Sequence, residues 1–354
     1  MLGRILKDLL AAPEVRLRPG QTAFQAGVEA YKAGELAAAA EHFAAALRAE
    51  PEHLEAHSYA GGIDLRTGRF REALGHFERA RVLDPRNAEC HFGAAVAHRE
   101  LGANEAAREC CETALALDPG LHPAHAFLAS LNLPGPFYLE VISMFHSHLR
   151  PRTYLEIGVE TGVSIALARR ETRAIGIDPE PRITEPLAPG TSIHATTSDE
   201  YFAAHDVRAD FGGLPIDLAF IDGMHRFEFA LRDFMNIERH CTSRSTILIH
   251  DCYPLSRHTA ERERRTSFWS GDIWRLILLL RKYRPDLSVK VIGTAPTGLG
   301  VVRGLDPGSS VLREKYDAIV GEFLALDYSV LDADKPGMLA LYPNDWEKVK
   351  AILQ

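Results

Sequence analysis

The sequence lacks an apolar run long enough to span a membrane, and it lacks an excess of basic residues. It has 40 Lys and Arg against 48 Asp and Glu among 354 residues, a formal net charge of −8. A transmembrane helix needs about 20 apolar residues, so we expect no membrane partner. A surface that binds nucleic acid needs clustered Lys and Arg, so we expect no nucleic acid partner either.

Cysteine is scarce and scattered. The five cysteines are Cys90, Cys110, Cys111, Cys241 and Cys252, and none forms a CxxC pair. An odd set without disulfide or metal-ligand spacing is typical of reduced thiols and favours a cytoplasmic protein. Near the start of the chain, Lys7 and Asp8 interrupt the apolar residues. This predicts a short amphipathic helix and not a secretory signal.

A 34-residue period runs through the first half of the chain, where Gly34, Gly68 and Gly102 recur at this interval. The same step joins two sets of alanines, a set of prolines and a bulky position: Ala39, Ala73, Ala107; Ala46, Ala80, Ala114; Pro51, Pro85, Pro119; Phe43, Phe77, Cys111. Glycine suits the turn between two helices, small residues suit close helix packing, and proline ends each unit. This pattern resembles the tetratricopeptide (TPR) repeat.

Three full units are followed by the first helix of a truncated fourth unit, which we predict from His122 to Leu131. We predict a capping helix from Pro136 to Leu149, because a helical stack must end on a face that tolerates water. The resemblance implies a concave surface that binds peptides. Two uses of the array stay open at this stage: dimerisation of the chain or docking of a substrate, and binding of a separate protein or peptide partner.

The second half alternates short apolar runs with amphipathic segments. We predict strands at Thr153–Ile157, Ala174–Asp178, Ser192–Thr196, Asp217–Asp222, Thr246–Asp251, Ser288–Thr294 and Gly300–Gly304. We predict helices at Ser164–Glu171, Asp199–Ala204, Phe227–His240 and Asp272–Tyr283. Apolar runs of this length suit buried parallel strands, and the short link between the last two strands requires an antiparallel hairpin. These elements predict an α/β fold with a seven-stranded, Rossmann-like sheet.

The link between the first two predicted strands is marked by glycine. Glu156 is followed by Gly158 and Gly162, and the next strand ends at Asp178. Such glycines let a backbone approach a nucleoside, and an acid at the tip of the next strand suits ribose hydroxyls. The spacing resembles the first motif of class I S-adenosylmethionine (SAM) methyltransferases. The resemblance implies that these four residues form part of a SAM site.

Two polar residues follow the third predicted strand. Ser198 and Asp199 stand where a helix begins, and Ser and Asp are preferred N-caps. By resemblance to the same methyltransferases, both residues also belong to an adenine pocket. The two roles stay open at this stage.

Acids and imidazoles follow two adjacent predicted strands. Asp222 ends one strand, with His225 close behind it, and His250 and Asp251 end the next. Neighbouring strands lie about 5 Å apart, so these side chains are expected to converge. Two carboxylates at that distance repel each other unless a cation lies between them. We therefore expect Asp222, His250 and Asp251 to hold a divalent cation such as Mg²⁺, Mn²⁺ or Fe²⁺.

The Asp-Gly-x-His sequence, with an acid after the next strand, resembles the cation-dependent sugar O-methyltransferases and the related cephalosporin-hydroxylase-like group. The resemblance implies that His225 is the general base and that Asp222 and Asp251 bind the metal, with Asp222 also in the cofactor pocket. That family has an acidic pair where this chain has His250-Asp251, and imidazole favours softer transition metals. The alternative is that both acids are ordinary strand-end groups and that His225 caps the helix starting at Phe227.

The segment from Pro254 to Gly271 is long and polar and follows the predicted metal ligands directly. It contains four arginines and two aromatic residues: Arg257, Arg262, Arg264, Arg265, Phe268 and Trp269. Its place predicts a lid over the acceptor. Its arginines either bind a carboxylate or phosphate of the acceptor or pair with the interleaved Glu261 and Glu263.

We expect a TPR array with flanking and capping helices over 1–150, a SAM-dependent methyltransferase domain over 151–307 and a helical extension over 308–354. The expected reaction is O-methylation of a sugar or specialised metabolite, with His225 as the base and metal assistance. One alternative is a metal-independent enzyme that methylates nitrogen or a peptide held by the repeats. Another is a scaffold without catalysis.

Overall fold

The structure is a computed structural model that describes residues 19–266 and 268–353. The amphipathic helix predicted around Lys7 and Asp8 lies outside the described residues. The chain divides into two compact units between Ala124 and His125. Across the described residues, every helix is too short or too polar to cross a membrane.

The first unit is built from helices joined by short turns. In chain order they are α1 (Pro19–Lys32), α2 (Leu36–Ala49), α3 (Leu54–Arg66), α4 (Phe70–Leu83), α5 (Ala88–Glu100) and α6 (Asn104–Leu117), and the next helix, α7 (His122–Asn132), spans the boundary between the units. Gly34, Gly68 and Gly102 lie in the turns inside the pairs, with φ of 80°, 76° and 79°. This left-handed conformation is easy only for glycine, so the 34-residue spacing of the glycines has a direct structural cause.

The other repeated positions form the interior of this unit. Both alanine sets are fully buried, because Cβ is the largest group that fits where the helices cross. Phe43, Phe77 and Cys111 occupy one equivalent buried position. The predicted helical array is confirmed, including the first helix of a fourth unit as α7.

The helix predicted from Pro136 to Leu149 forms as α8 (Tyr138–Leu149). Its buried residues Val141, Ile142 and Phe145 belong to the same apolar cluster as Tyr154 and Phe220 of the sheet. Helix α8 therefore lies within the second unit and packs on its sheet. The limits given above for the three segments remain a prediction.

The second unit contains an eight-stranded sheet. Its strands are β1 (Thr153–Ile157), β2 (Arg173–Asp178), β3 (Thr191–Ala195), β4 (Leu218–Ile221), β5 (Thr246–Ile249), β6 (Ser288–Ile292), β7 (Leu299–Arg303) and β8 (Leu341–Tyr342). They follow the order β3-β2-β1-β4-β5-β7-β6-β8. The first five strands are parallel, and β6 and β7 form the predicted antiparallel hairpin. The predicted α/β class is confirmed.

The strand order reverses between β1 and β4, which both pair with parallel neighbours. In an open α/β sheet, ligands bind at the carboxyl ends of the strands beside such a reversal. Alternate side chains of the central strands enter two apolar clusters, one on each face of the sheet. A polar cleft is therefore expected at the edge where the parallel strands end.

The remaining helices of this unit are α9 (Ser198–Ala204), α10 (Val207–Asp210), α11 (Phe227–Glu238), α12 (Trp274–Tyr283), α13 (Val311–Glu314), α14 (Tyr316–Leu324), α15 (Lys335–Met338) and α16 (Trp346–Ala351). The predicted helix over Ser164–Glu171 is wrong. Only a 3-10 turn forms there, because Ser164 turns inward to a buried acid and the backbone becomes extended at Ala168 (ψ 136°). The predicted all-helical C-terminal segment is also incomplete, since β8 adds an eighth strand beside β6.

Candidate active site

One cavity of about 870 Å³ opens at the carboxyl ends of the strands, and its lining residues all belong to the second unit. Eight of the residues predicted from the sequence line it: Gly158, Asp178, Ser198, Asp199, Asp222, His225, His250 and Asp251. Glu156 and Gly162 are not among its lining residues. The structure thus brings the two predicted groups, for a cofactor and for acid–base chemistry, to one cavity.

Glu156 lies in the interior of the sheet. Its carboxyl accepts hydrogen bonds from the Tyr154 hydroxyl at 2.5 Å and from Ser164 Oγ at 2.6 Å. Complete burial raises the pKa of Glu156 to about 8, although both hydrogen bonds favour the charged form. Glu156 therefore holds the loop after β1 in place from beneath.

The two glycines of this loop have left-handed backbones, with φ of 85° at Gly158 and 87° at Gly162. A Cβ added to Gly158 would lie 2.1 Å from the carbonyl oxygen of Asp222. A Cβ added to Gly162 would lie 3.2 Å from the side chain of Ile183. The glycine spacing is therefore explained by close approach of protein segments, and Gly158 keeps the loops after β1 and β4 in contact.

Asp178 ends β2 and faces the cavity. One carboxylate oxygen accepts the Glu160 N–H at 2.9 Å and the other accepts the Glu180 N–H at 2.8 Å. Each oxygen of a carboxylate has two lone pairs, so both can accept a further hydroxyl. Two backbone N–H groups thus fix the Asp178 carboxylate, and its remaining lone pairs suit the two hydroxyls of a ribose.

The N-cap of α9 is Thr197. Its side chain accepts a hydrogen bond from the Glu200 N–H at 3.3 Å, in a capping box. The alternative that Ser198 or Asp199 caps this helix is wrong. Asp199 instead forms a bidentate ion pair with Arg232 of α11, with a shortest distance of 2.8 Å.

The acids and imidazoles after β4 and β5 converge as the strand order predicts. Nδ1 of His250 lies 3.0 Å from Oδ1 of Asp222, and Nδ1 of His225 lies 2.9 Å from Oδ2 of Asp251. Nε2 of His225 is 3.5 Å from Oδ1 of Asp222. Thr297 Oγ1 donates to Asp251 at 2.5 Å. We call Asp222, His225, His250 and Asp251 the acid–imidazole cluster.

Charges inside the cluster dominate its protonation. Burial lowers the pKa of His225 and His250, but the two carboxylates outweigh burial and raise both values, that of His225 well above its ordinary range. Burial raises the pKa of Asp222 and Asp251, but the imidazoles outweigh it and lower both values. The carboxylates are therefore charged, and each holds protons on its imidazole neighbours.

The backbone at His225 is strained, with φ of 53°, and so is that at Asp251, with φ of 62°. The segment 269–272 holds His225 in this conformation. The Trp269 ring stacks on the imidazole with centroids 5.3 Å apart, and the Asp272 N–H donates to the His225 carbonyl at 3.2 Å. A Cβ on Gly271 would lie 1.9 Å from that same carbonyl.

Asp272 is fully buried and takes the capping position that was the alternative role of His225. Its Oδ1 accepts the N–H of Phe227 at 2.8 Å at the start of α11. Its Oδ2 accepts from Arg262 at 2.7 Å and from Arg275. The role of His225 as the cap of this helix is therefore wrong. Its imidazole instead contacts the carboxylates of Asp222 and Asp251 and the Trp269 carbonyl.

The arginines of the predicted lid are mostly paired with acids. Arg257 binds Asp327, Arg262 binds Glu228 as well as Asp272, and Arg265 binds Glu261 at 2.9 Å. The alternative of pairing with Glu261 is thus confirmed for Arg265. The segment also lines the cavity through Arg264, Phe268 and Trp269.

The cluster offers a donor set that fits a divalent cation. Asp222, His250 and Asp251 each provide a ligand atom within 4.8 Å of the others. Nε2 of His250 is buried and makes no hydrogen bond to the described residues. Two carboxylates with one imidazole suit a transition metal better than Mg²⁺.

Tyr138, Asp233 and Thr297 are among the lining residues that were not predicted from the sequence. Tyr138 stacks on His250 at 4.3 Å between ring centroids, although it stands outside the predicted domain. Asp233 lies in the interior of an amphipathic helix, and Thr297 lies in the hairpin link. Of these three residues, only Asp233 could have been singled out from the sequence, because it is a charged residue on the apolar face of a predicted helix.

The comparisons with known proteins agree with this division. Residues 155–252 match a family described as a methyltransferase domain, and residues 24–63 and 63–122 match tetratricopeptide repeats. The chain joins tetratricopeptide repeats to a methyltransferase domain. The TPR and methyltransferase resemblances are thereby confirmed, while the sugar O-methyltransferase subgroup remains a prediction. No curated protein matches the chain.

Solved structures similar to the TPR–methyltransferase chain include the first TPR of Spaghetti (RPAP3) bound to an HSP90 peptide, at 18% identity over 34% of this chain and 95% of that chain, with a TM-score of 0.32. MamA from Desulfovibrio magneticus RS-1 is 22% identical over 36% of this chain and 71% of that chain, with a TM-score of 0.32. The Arabidopsis OM64 TPR domain is 20% identical over 32% of this chain and 93% of that chain, with a TM-score of 0.31.

Proposed function

We propose that this protein transfers the methyl group of SAM to a hydroxyl oxygen of a small molecule, a sugar or a specialised metabolite. The observation that carries the proposal is that Asp178 and the acid–imidazole cluster line the same cavity. The family match to a methyltransferase domain supports methyl transfer. The acceptor oxygen is proposed because the cluster provides bases and carboxylates suited to binding and deprotonating a hydroxyl.

The residues of the cavity would bind the cofactor along the strand ends. Asp178 would accept the ribose hydroxyls, and Ser198 and Asp199 would lie beside the adenine ring. Gly158 and Asp222 would border the methionine part of SAM. Glu156 and Gly162 would act indirectly, by fixing the loop after β1. SAM supplies a methyl group that is already activated as a sulfonium, so the protein has to orient the acceptor, exclude water and accept one proton.

His225 is the proposed general base. Its position between Asp222 and Asp251 holds a proton on the imidazole when no other positive charge is present. Nearby positive charge, from the SAM sulfonium or a bound cation, would offset the field of those carboxylates, so that the imidazole releases that proton to solvent. The neutral ring can then accept the proton of the acceptor hydroxyl. Asp222, His250 and Asp251 would hold a divalent cation, which would lower the pKa of an acceptor hydroxyl.

The test is methyl transfer from SAM to a panel of hydroxylated sugars and metabolites, read as a mass gain of one methyl group. We expect His225→Ala to lower the rate by about 100-fold or more, and EDTA to lower it reversibly, with Mn²⁺ or Fe²⁺ restoring it. His205→Ala is the matched control, because His205 also lies 3.0 Å from a carboxylate, that of Asp210, but outside the cavity.

Activity that survives both EDTA and His225→Ala would contradict the metal-and-base mechanism and favour the metal-independent alternative. Absence of S-adenosylhomocysteine binding would favour the scaffold. For the repeats, we propose a second copy of the chain or a peptide as the partner, and sedimentation of the full chain distinguishes a homodimer from a monomer. We further propose cytoplasmic location and the segment limits 1–150, 151–307 and 308–354.

A further inference from the structure

One buried acid in the cavity is not used by the proposed mechanism. Asp233 lies on α11, is 4% exposed and lines the cavity beside Ser198 and Asp199. The ideal Cβ position of Gly223 lies 4.0 Å from its Oδ2. A carboxyl this deep in a polar-lined cavity needs a hydrogen-bonding role.

Its neighbours leave it without a cation of its own. Arg232, the residue before it, directs its guanidinium to Asp199 in a bidentate pair. Asp233 keeps a hydrogen bond with Ser198. The acid that the sequence placed in the adenine pocket, Asp199, is therefore neutralised by an arginine, whereas Asp233 is not.

The contacts of α11 with Ser198 and Asp199 of α9 bring Asp233 to the β3 side of the cavity. Moving along the carboxyl edge from β3 to β5, the side chains are Ser198, Asp178, Gly158, Asp222 and Asp251. If the ribose lies at Asp178 and the reacting group lies at Asp222, the adenine ring must lie on the far side of the ribose from Asp222, toward β3. Helix α11 reaches that side, as its ion pair with α9 shows.

We infer that Asp233 is the residue that selects adenine, by forming a two-point hydrogen bond with the exocyclic amino group and the adjacent ring nitrogen. This inference rests on the proposed binding of SAM. Adenine presents a donor and an acceptor side by side, the pattern that an Asn side chain pairs with. A neutral carboxylic acid presents the matching acceptor and donor, whereas a carboxylate presents acceptors only.

The environment supports the neutral form. Burial raises the pKa of Asp233 to about 7, helped by Asp199 on α9 and opposed by the Ser198 hydrogen bond and by Arg232 on its own helix. A small second cavity is lined by Asp233 together with the titratable groups after β4 and β5, which are Asp222, His225, His250 and Asp251. Binding of the adenine edge is therefore expected to weaken as the pH rises above 7.

The experiment is calorimetric titration of the full chain with S-adenosylhomocysteine and with its purine analogue, which lacks the 6-amino group. For the wild type at pH 6, we expect removal of the amino group to weaken binding about tenfold, the effect of one good hydrogen bond. In Asp233→Leu the same removal should weaken binding less than about twofold, because the partner group is gone. Asp317→Asn, an exposed change in the same unit, is the matched control.

A second measurement separates contact from a structural role. Between pH 6 and pH 8.5, wild-type affinity should fall about tenfold, whereas Asp233→Asn should keep the pH 6 affinity with a flatter profile. An unchanged amino-group effect in Asp233→Leu, or the same pH slope in Asp233→Asn, would overturn the inference while leaving SAM binding intact. No binding of S-adenosylhomocysteine to the wild type would instead overturn the proposed function.

Discussion

At the scale of single residues, the acid–imidazole cluster shows how two carboxylates can be buried close together when each has a positively charged neighbour. Two buried carboxylates within one site would repel each other, and each is instead set against an imidazole at 2.9–3.0 Å. The cluster can be close to neutral with both rings protonated. A bound cation would take over this role, which is why the same side chains fit either an ion-free or a metal-bound state.

Glu156 provides a prediction about stability. Its pKa is raised to about 8 in the folded protein, whereas an unfolded Glu titrates near 4.3. The folded state therefore holds a proton that the unfolded state releases, and the free energy of unfolding should fall as pH rises from about 4.5 to 8. Glu156→Gln should flatten this slope and stabilise the protein at pH 8 by about 1–3 kcal/mol.

Chemical denaturation at pH 5, 6.5 and 8 measures the effect. Glu263→Gln removes a carboxylate at an exposed position and is the control. Equal pH slopes for the wild type and Glu156→Gln would show that Glu156 is ionised in the folded protein, contrary to its burial beside Tyr154 and Ser164.

At the scale of elements, the residues at the strand ends could be predicted from the sequence, but the side-chain contacts that hold the loops in place could not. Asp178, Asp222 and Asp251 each follow an apolar run, so the sequence alone placed them at one edge of the sheet. The capping of α11 by Asp272 depends on two segments 45 residues apart in the chain, and no local pattern contains it. The missing helix over 164–171 has the same cause, because a contact with Glu156 overrides a local propensity.

Gly271 tests the role of the segment that holds His225. Its φ is 59°, and an added Cβ would lie 1.9 Å from the His225 carbonyl. We expect Gly271→Ala to displace His225 and to lower the rate of methyl transfer by about 10–100-fold. Affinity for S-adenosylhomocysteine should stay within about threefold, because Asp178 and Ser198 lie on other strand ends.

The matched control is Gly213→Ala, which also has a positive φ, 86°, but whose added Cβ would meet no atom within 4 Å. Both variants carry similar backbone strain, so only the contact with His225 differs. A Gly271→Ala enzyme with the same activity as Gly213→Ala would show that this segment does not position the imidazole.

At the scale of the whole molecule, two different periodicities of the sequence distinguish the two halves of the chain. The 34-residue repeat predicted the helix pairs, because the repeated residues lie in turns and helix crossings between helices that are neighbours in the chain. The alternating apolar runs predicted the sheet and its parallel core. The eighth strand was missed because β8 has two residues, Leu341–Tyr342, and forms only by pairing with β6.

The central claim is that the strand ends of the second unit form a nucleoside pocket that opens on the acid–imidazole cluster. Calorimetric titration of the full chain with S-adenosylhomocysteine, for the wild type and for Asp178→Ala, tests it most directly. We expect one site per chain in the wild type and an affinity at least about tenfold weaker in Asp178→Ala, with cooperative unfolding retained. Absence of binding to the wild type, or equal affinity in the variant, would contradict the claim.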